Sequence, residues 1–327
     1  MQNIAALTIN PAVDMATSVD HVVPVKKLRC ATVRRDPGGG GINVARVLHR
    51  FGLDATAIYP MGGSIGQLLR RLIDAEGIRS LTIPIGGETR ESFAVVEEVT
   101  GQQFRFTLPG PQMTEAECRS CFDALASLEC RPDFIIASGS LPPGVPEDFY
   151  AQVSRLAKER GARFILDTSG PALKHAIGEG AYLIKPNLNE LSELMNMTLA
   201  DQDSCIHACY SVVASGGAVI VALTLGDRGA LLVTRDNVWR ASAIPIKPVS
   251  SVGAGDSFLG AMVWSIAVGH DLQTAFRYGV ASGAAALLAP GTELCLRKDV
   301  ERLYREVSIE AIEVPHRARD RLSKTSQ

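Results

Sequence analysis

Apolar strand-like runs alternate with amphipathic helical runs along most of this chain, and few folds satisfy that alternation. Residues 4–9 read as a strand, 42–51 as a helix and 55–59 as a second strand. Within 65–76, Leu68, Leu69, Leu72 and Ile73 share one face at helical spacing. Further strands are expected at 134–137, 163–167, 182–184 and 219–224, with helices at 147–160, 187–196 and 205–214 between them. Helical segments at 256–268 and 272–288 close the pattern. Such repetition implies an α/β fold, with a mainly parallel sheet covered by helices on both faces.

Two regions, about 13–36 and 85–108, break the rhythm with short strand-like pieces. In 103–108, Phe104, Phe106 and Leu108 point one way while Gln103, Arg105 and Thr107 point the other. A small sheet with one apolar face and one arginine-bearing face makes a lid over a site. Its apolar face needs cover, and a second subunit is the simplest source. The segment after Glu306 is basic and polar and reads as a frayed tail. The expected organisation is one domain over 1–310, the discontinuous lid inside it, and a tail at 311–327.

Charge narrows the partners. Lys and Arg total 33 against 35 Asp and Glu, a formal net charge of -2, so nothing draws the whole chain to nucleic acid. Asn10, Pro11 and Asp14 break the first apolar stretch, which removes a secretory pattern, and the longest apolar runs are too short to cross a bilayer. The seven cysteines are odd in number and scattered, as in a reducing cytoplasm. Cys118 with Cys121, and Cys205 with His207 and Cys209, lie in helix-patterned segments without a second pair to complete a zinc site. Neither GxxxxGK[ST] nor a GxGxxG between first strand and helix is present, so phosphate handling uses another scheme.

Two glycine-rich elements offer one. Gly253, Ala254 and Gly255 run into an apolar helical segment with Asp256 at the join. A helix starting there presents unpaired N–H groups and a positive dipole end to an anion. Asp256 beside that hole suits a base for an alcohol in phosphoryl transfer. The helix N-terminus should keep it ionised, hence a weak base that acts by proximity. A glycine-rich turn with an ordinary Asp near a helix start fits the same letters. The second element, Gly38 to Gly41, permits close backbone approach to a polar ligand, with Asn43 one turn into the next helix; a flexible turn is the other reading. Asp14 follows the first strand, on the side where open α/β sheets bind ligands. Asn187 and Glu190, three apart at a helix start, hold Mg²⁺ through water or cap the helix, and both can hold at once. Lys27, Arg29, Arg90 and Arg105 form a local basic cluster that suits a phosphate already on a substrate, and surface solvation is the competing reading for each alone.

GGGGINVARVL from Gly38, SGSLPPG at 138–144, KPNLNE at 185–190, LTLGDRGA at 223–230 and SVGAGDSF at 251–258 stand in one order and spacing. Over about 8–291 the chain resembles the ribokinase-like, PfkB-type sugar kinases. Within them it is similar to the minor bacterial 6-phosphofructokinases, through TINPAVD at 8–14, KLRC at 27–30, Thr89-Arg90, FRF at 104–106 and GGGG. Tagatose-6-phosphate kinases and phosphofructokinases acting on the 1-phosphate more often carry lysine where this chain has Gly40, and both remain alternative activities. A non-catalytic sugar-phosphate sensor would be expected to lack Asp256 or the GAGD glycines.

The resemblance implies a ribokinase-like three-layer α/β/α sandwich whose β-sheet lid also forms a homodimer contact. It implies ATP-dependent phosphorylation of D-fructose 6-phosphate at C1. Asp256 would be the base, with Gly253, Ala254 and Gly255 as the anion hole. Asp14, Gly38, Gly39, Asn43 and Ser140 would hold the sugar. Lys27, Arg29, Arg90 and Arg105 would hold the 6-phosphate, Arg29 reaching across between subunits. Lys185, Asn187, Thr224, Gly226 and Gly229 would line ATP, Glu190 would take Mg²⁺ through water, and Ser250, Val252 and Gly291 would surround a monovalent cation such as K⁺. TLGDRG stands where the relatives tend to have SLGPQG, a change that leaves ATP binding intact. Val23 stands where they tend to have an aromatic, which puts allosteric nucleotide behaviour in question.

Overall fold

Period-two alternation of apolar side chains supplies both faces of one large sheet. In the first strand Ala5 and Leu7 join one core while Ile4 and Ala6 join the other, and Ile135 and Ala137 part from Phe134 and Ile136 in the same way. The structure, a computed structural model, describes residues 2–313. The chain runs β1 (Ile4–Leu7), β2 (Ala12–Val19), β3 (Arg34–Gly38), α1 (Gly40–Arg50), β4 (Thr56–Met61), α2 (Gly63–Ala75), β5 (Ser80–Pro84), β6 (Arg90–Glu97) and β7 (Gln103–Thr107). It continues through α3 (Glu115–Ala126), β8 (Phe134–Ser138), α4 (Phe149–Glu159), β9 (Arg163–Asp167), α5 (Gly170–Glu179), β10 (Ala181–Ile184), α6 (Leu188–Met195), α7 (Gln202–Ala214) and β11 (Ala218–Thr224). Last come β12 (Ala230–Val233), β13 (Val238–Ala241), α8 (Ala254–Ala267), α9 (Leu272–Leu287), α10 (Arg297–Tyr304) and β14 (Ile309–Ile312).

Ten strands form the main sheet in the order β14-β13-β12-β11-β10-β9-β8-β1-β4-β5. Pairing is parallel from β11 to β5 and antiparallel among β11, β12, β13 and β14. One core lies between the sheet and α1, α2, α8, α9 and α10, the other between the sheet and α3 to α7. This is the three-layer α/β/α arrangement. Cys118, Cys121, Cys205 and Cys209 are all members of the second core, where burial pushes the Cys121 thiol up to about 12.

The chain leaves β1 toward β4 and β5 on one side and returns to β8, β9, β10 and β11 on the other. The order therefore reverses beside β1, and a crevice opens beyond the carboxyl ends of β1 and β8. Above it sits a separate four-stranded sheet, β3-β2-β6-β7, which draws its strands from the two regions that broke the sequence rhythm. Asp14 on β2 pairs with Asp36 on β3 and Ser92 on β6, and Arg105 on β7 pairs with Ala94 on β6. The reading of a frayed tail from Glu306 needs correcting. Ile309–Ile312 continue the main sheet as β14, because their backbone pairs with β13 from Val238 to Ala241. The rest of the expected tail, from 314, lies outside the described residues.

Candidate active site

Four of the ten helices among the described residues have starts closed by side chains. Thr114 with Glu117, Asn187 with Glu190, and Asp201 with Ser204 form reciprocal capping boxes on α3, α6 and α7. Helices α1 and α8 have no side-chain cap. At α8 the N-cap is Gly253 with φ 75°, a left-handed conformation, and a Cβ there would meet Leu294 Cδ2 at 2.6 Å. The first-turn N–H groups of Ala254, Gly255 and Asp256 are left for an anion. At α1 the N-cap is Gly39 with φ 113°, packed so that a Cβ would meet Thr8 Cγ2 at 2.6 Å.

The two starts meet where Asn43 Nδ2 donates to Asp256 Oδ2 at 2.8 Å. Burial, with Asp167 adding to it, pushes the Asp256 carboxyl up to about 6, against the Asn43 bond and Lys185, which favour the anion. Asp256 therefore stays ionised above about pH 6, as expected, but is a stronger base than the sequence alone implied. The helix terminus is outweighed by desolvation, and the acid is tuned close to the range in which a general base works well.

On the lid side, Asp14 lies so close to Gly38 that a Cβ at 38 would collide with its carboxylate. Burial raises the Asp14 pKa, while Arg90, Arg105 and Arg46 pull it down. Arg90 donates Nη2 to the Asn10 carbonyl and Nη1 to the Leu108 carbonyl, each at 3.1 Å. Ser140 follows β8 and accepts a 3.1 Å bond from Asn10 Nδ2. The structure thus gathers Asp14, Arg90, Arg105, Gly38, Gly39, Asn43 and Ser140 around one crevice. Lys27 and Arg29 stand exposed in the loop between β2 and β3, with no ion pair among the described residues. Phe106 and Leu108 remain 55% and 42% exposed on the outer face of the lid.

Across the crevice, Lys185 follows β10 and is buried, with Nζ 3.1 Å from Asp167 Oδ1 and 3.2 Å from where a Cβ on Gly255 would stand. Burial opposes its charge, but Asp167, Asp256 and Glu190 outweigh burial and raise its pKa. Burial, reinforced by Asp167, also raises the pKa of Glu190, whose Oε2 accepts from the Asn187 N–H. Asn187 bridges to Thr224, and the 226–228 turn with Gly229 forms an open rim beside it. Ser250 Oγ donates to the Gly291 carbonyl at 2.5 Å and accepts from the Val252 N–H at 3.2 Å. Gln103 Nε2 of the lid donates to the same Ser250 hydroxyl at 3.2 Å.

Residues 7–299 match the family described as pfkB family carbohydrate kinase. The chain belongs to that family. It is 45% identical over 311 residues to the ATP-dependent 6-phosphofructokinase isozyme 2 of Mycobacterium tuberculosis, covering 95% of this chain and 91% of that one. Against the enzyme of the same name from Escherichia coli K12 it is 40% identical over 309 residues, 94% of this chain and all of the other. Among solved structures, Escherichia coli phosphofructokinase-2 in complex with potassium superposes with TM-score 0.89 at 40% identity, over 94% of this chain and 99% of the other. The same enzyme in complex with fructose-6-phosphate gives TM-score 0.88 at 39% identity over the same shares. The described residues of this pfkB-family chain contain no helix long and apolar enough to cross a membrane.

Three polar residues of the kinase crevice had not been singled out from sequence. Asp167 closes β9 and accepts from Ser138 Oγ at 3.4 Å as well as pairing with Lys185. The rule that pointed to Asp14, a carboxylate at the carboxyl end of a parallel strand, points to it too. Thr8 Oγ1 accepts from the Ile42 N–H at 2.8 Å and pins the glycine turn. Arg46 touches Asn43, and nothing in its spacing separates it from a solvated helix face.

Proposed function

We propose that this chain transfers the γ-phosphoryl group of ATP to the C1 hydroxyl of D-fructose 6-phosphate, giving fructose 1,6-bisphosphate and ADP, a step of glycolysis. One observation carries the reading: the uncapped start of α8 puts free N–H groups beside Asp256, which feels Lys185 on one side and Asp14, partner of the lid arginines, on the other. The 6-phosphofructokinase names of relatives at 40–45% identity support the choice of substrate.

Each residue then has a task. Arg90 and Arg105, with Lys27 and with Arg29 reaching between subunits, hold the 6-phosphate. Asp14, the Gly38 and Gly39 backbone, Asn43 and Ser140 fix the sugar hydroxyls. Asp256 has Oδ2 committed to Asn43 and uses Oδ1 to take the proton as the alcohol attacks. The N–H groups after Gly253 and the Lys185 ammonium stabilise the charge spread over the transferring phosphoryl. Asn187, Thr224, Gly226 and Gly229 border the nucleotide.

Lys185 faces three carboxylates, Asp167, Asp256 and Glu190, and this negative surplus fits a divalent cation. Glu190 would be an outer partner, through water, of a Mg²⁺ ion that comes with the nucleotide phosphates. Bound with ATP, Mg²⁺ neutralises phosphate oxygens. Ser250, Val252 and the Gly291 carbonyl form the candidate surround of a monovalent cation such as K⁺. A second copy covers the exposed lid face, and the seven free thiols support a cytoplasmic setting.

Gly40 sets this chain apart from the kinases behind the two alternative activities. A Cβ there would collide with Ser138 Oγ, so the lysine that resembling 1-phosphate and tagatose-6-phosphate kinases carry has no room without a shift. Coupled ADP release on fructose 6-phosphate, tagatose 6-phosphate, fructose 1-phosphate, ribose and adenosine tests the assignment. The highest kcat/KM is expected for fructose 6-phosphate, and a higher value for any other sugar overturns it.

A further inference from the structure

Arg46 is 1% exposed, yet its guanidinium meets four separate groups. Nε and Nη2 donate to the Glu76 carboxylate at the end of α2, at 2.6 to 3.0 Å. Nη1 donates to the Pro37 carbonyl at 3.0 Å and to Asn43 Oδ1 at 3.1 Å, and Nη2 lies 4.0 Å from Asp36. Asn43 then donates its Nδ2 to Asp256.

A guanidinium has donors and no acceptor, so the Asn43 atom beside it has to be the amide oxygen. The amide nitrogen is thereby turned toward Asp256. Rotating the carboxamide by half a turn would set NH₂ against the guanidinium and oxygen against the carboxylate, losing both bonds. Asp256 enforces this orientation only while it is ionised, because a protonated carboxyl also donates. Arg46 enforces it in both states of the acid. A buried ion pair adds little stability over packed apolar side chains, so the pairing with Glu76 alone does not account for a guanidinium here.

We infer that Arg46 is a positioning residue for phosphoryl transfer. Anchored by Glu76 and Pro37, it locks the Asn43 carboxamide, which holds Asp256 by Oδ2 and keeps Oδ1 aimed at the sugar hydroxyl before and after the proton arrives. The inference rests on the reading of Asp256 as the base.

The test is a double-mutant cycle in steady-state kinetics on the full chain, with fructose 6-phosphate and MgATP. Arg46→Met is expected to lower kcat by about 10- to 100-fold while the sugar-phosphate KM moves less than about threefold. In an Asn43→Ala background the same change should cost kcat less than about twofold, because the group it acts through is gone. Arg46→Lys keeps a charge for Glu76 but loses the planar fork, so it should fold normally by thermal unfolding and still lose about tenfold in kcat. It completes the cycle if Arg46→Met does not fold. Equal losses with and without Asn43, or a loss seen only in KM, would overturn the role of Arg46. Wild-type turnover in Asp256→Asn would instead remove the base itself, so the two failures are distinct.

Discussion

Asn43 Nδ2 donates to Asp256 Oδ2 across 2.8 Å, and this bond ties α1 to α8 at the point where both helices begin. Two uncapped helix starts therefore converge on one carboxylate. Their positive ends favour anionic ligands, while burial holds the carboxylate near neutrality in pKa. The crevice is thus set up to bind negative charge and to accept a proton in the same few ångströms.

The rate should fall in mild acid. With Asp256 pushed up to about 6, the ionised base is lost as pH drops through that value. The kcat/KM for fructose 6-phosphate is expected to show an acidic limb near 6, distinct from the substrate phosphate's own titration if repeated with a sulfate or phosphonate analogue. A flat profile from pH 7.5 to 5 would contradict the environment described for Asp256.

The same shift makes a stability statement. In the folded chain Asp256 holds its proton up to about 6, against 3.8 for a free Asp. Between those values the folded state binds the proton and the unfolded state releases it, so stability falls as pH rises through the window. Above it the full cost stands, about 1–3 kcal/mol, and below it there is none. Asp256→Asn should therefore unfold at a higher temperature than the parent at pH 8 and at the same temperature at pH 4. A destabilised variant at pH 8 would argue against a desolvated carboxylate.

Arg90→Ala should raise KM for the sugar phosphate by about 10- to 100-fold through lost charge-assisted bonds, with a smaller effect on kcat and on the ATP KM. A change confined to the ATP KM would exchange the two halves of the crevice.

Much of this site was legible in the chain. Asp256 with its glycines, Asn43 and Asp14 were singled out because glycine runs and isolated polar residues interrupt apolar periodicity at strand and helix ends, whereas Lys185 came from the family resemblance alone. What escaped notice lacked such contrast. Helix α10, RKDVERLY, buries only Val300 and Leu303, too few to show a stripe. Strands β12 to β14 are four residues each, and none of them alternates between buried and exposed positions, so the period-two signal is missing. Arg46 reads as surface charge until tertiary packing brings Glu76 to it, thirty residues away. The pKa of Asp256 likewise depends on Asp167 and on depth of burial, neither of which local sequence contains.

The exposed apolar face of the lid gives a further expectation. Phe106→Asp places a charge on a surface where Phe106 and Leu108 stand open to solvent in the single chain. Light scattering after gel filtration should find the parent as a dimer or larger and the variant shifted toward monomer. An unchanged oligomer would move the subunit contact elsewhere.

Turnover by Asp256→Asn at saturating fructose 6-phosphate and MgATP probes the chemistry most directly. With the carboxylate gone and the Asn43 bond preserved, kcat should drop by about 10²- to 10⁴-fold, with both KM values little changed. A variant that turns over at the parent rate would mean that the proton of the sugar hydroxyl goes somewhere else.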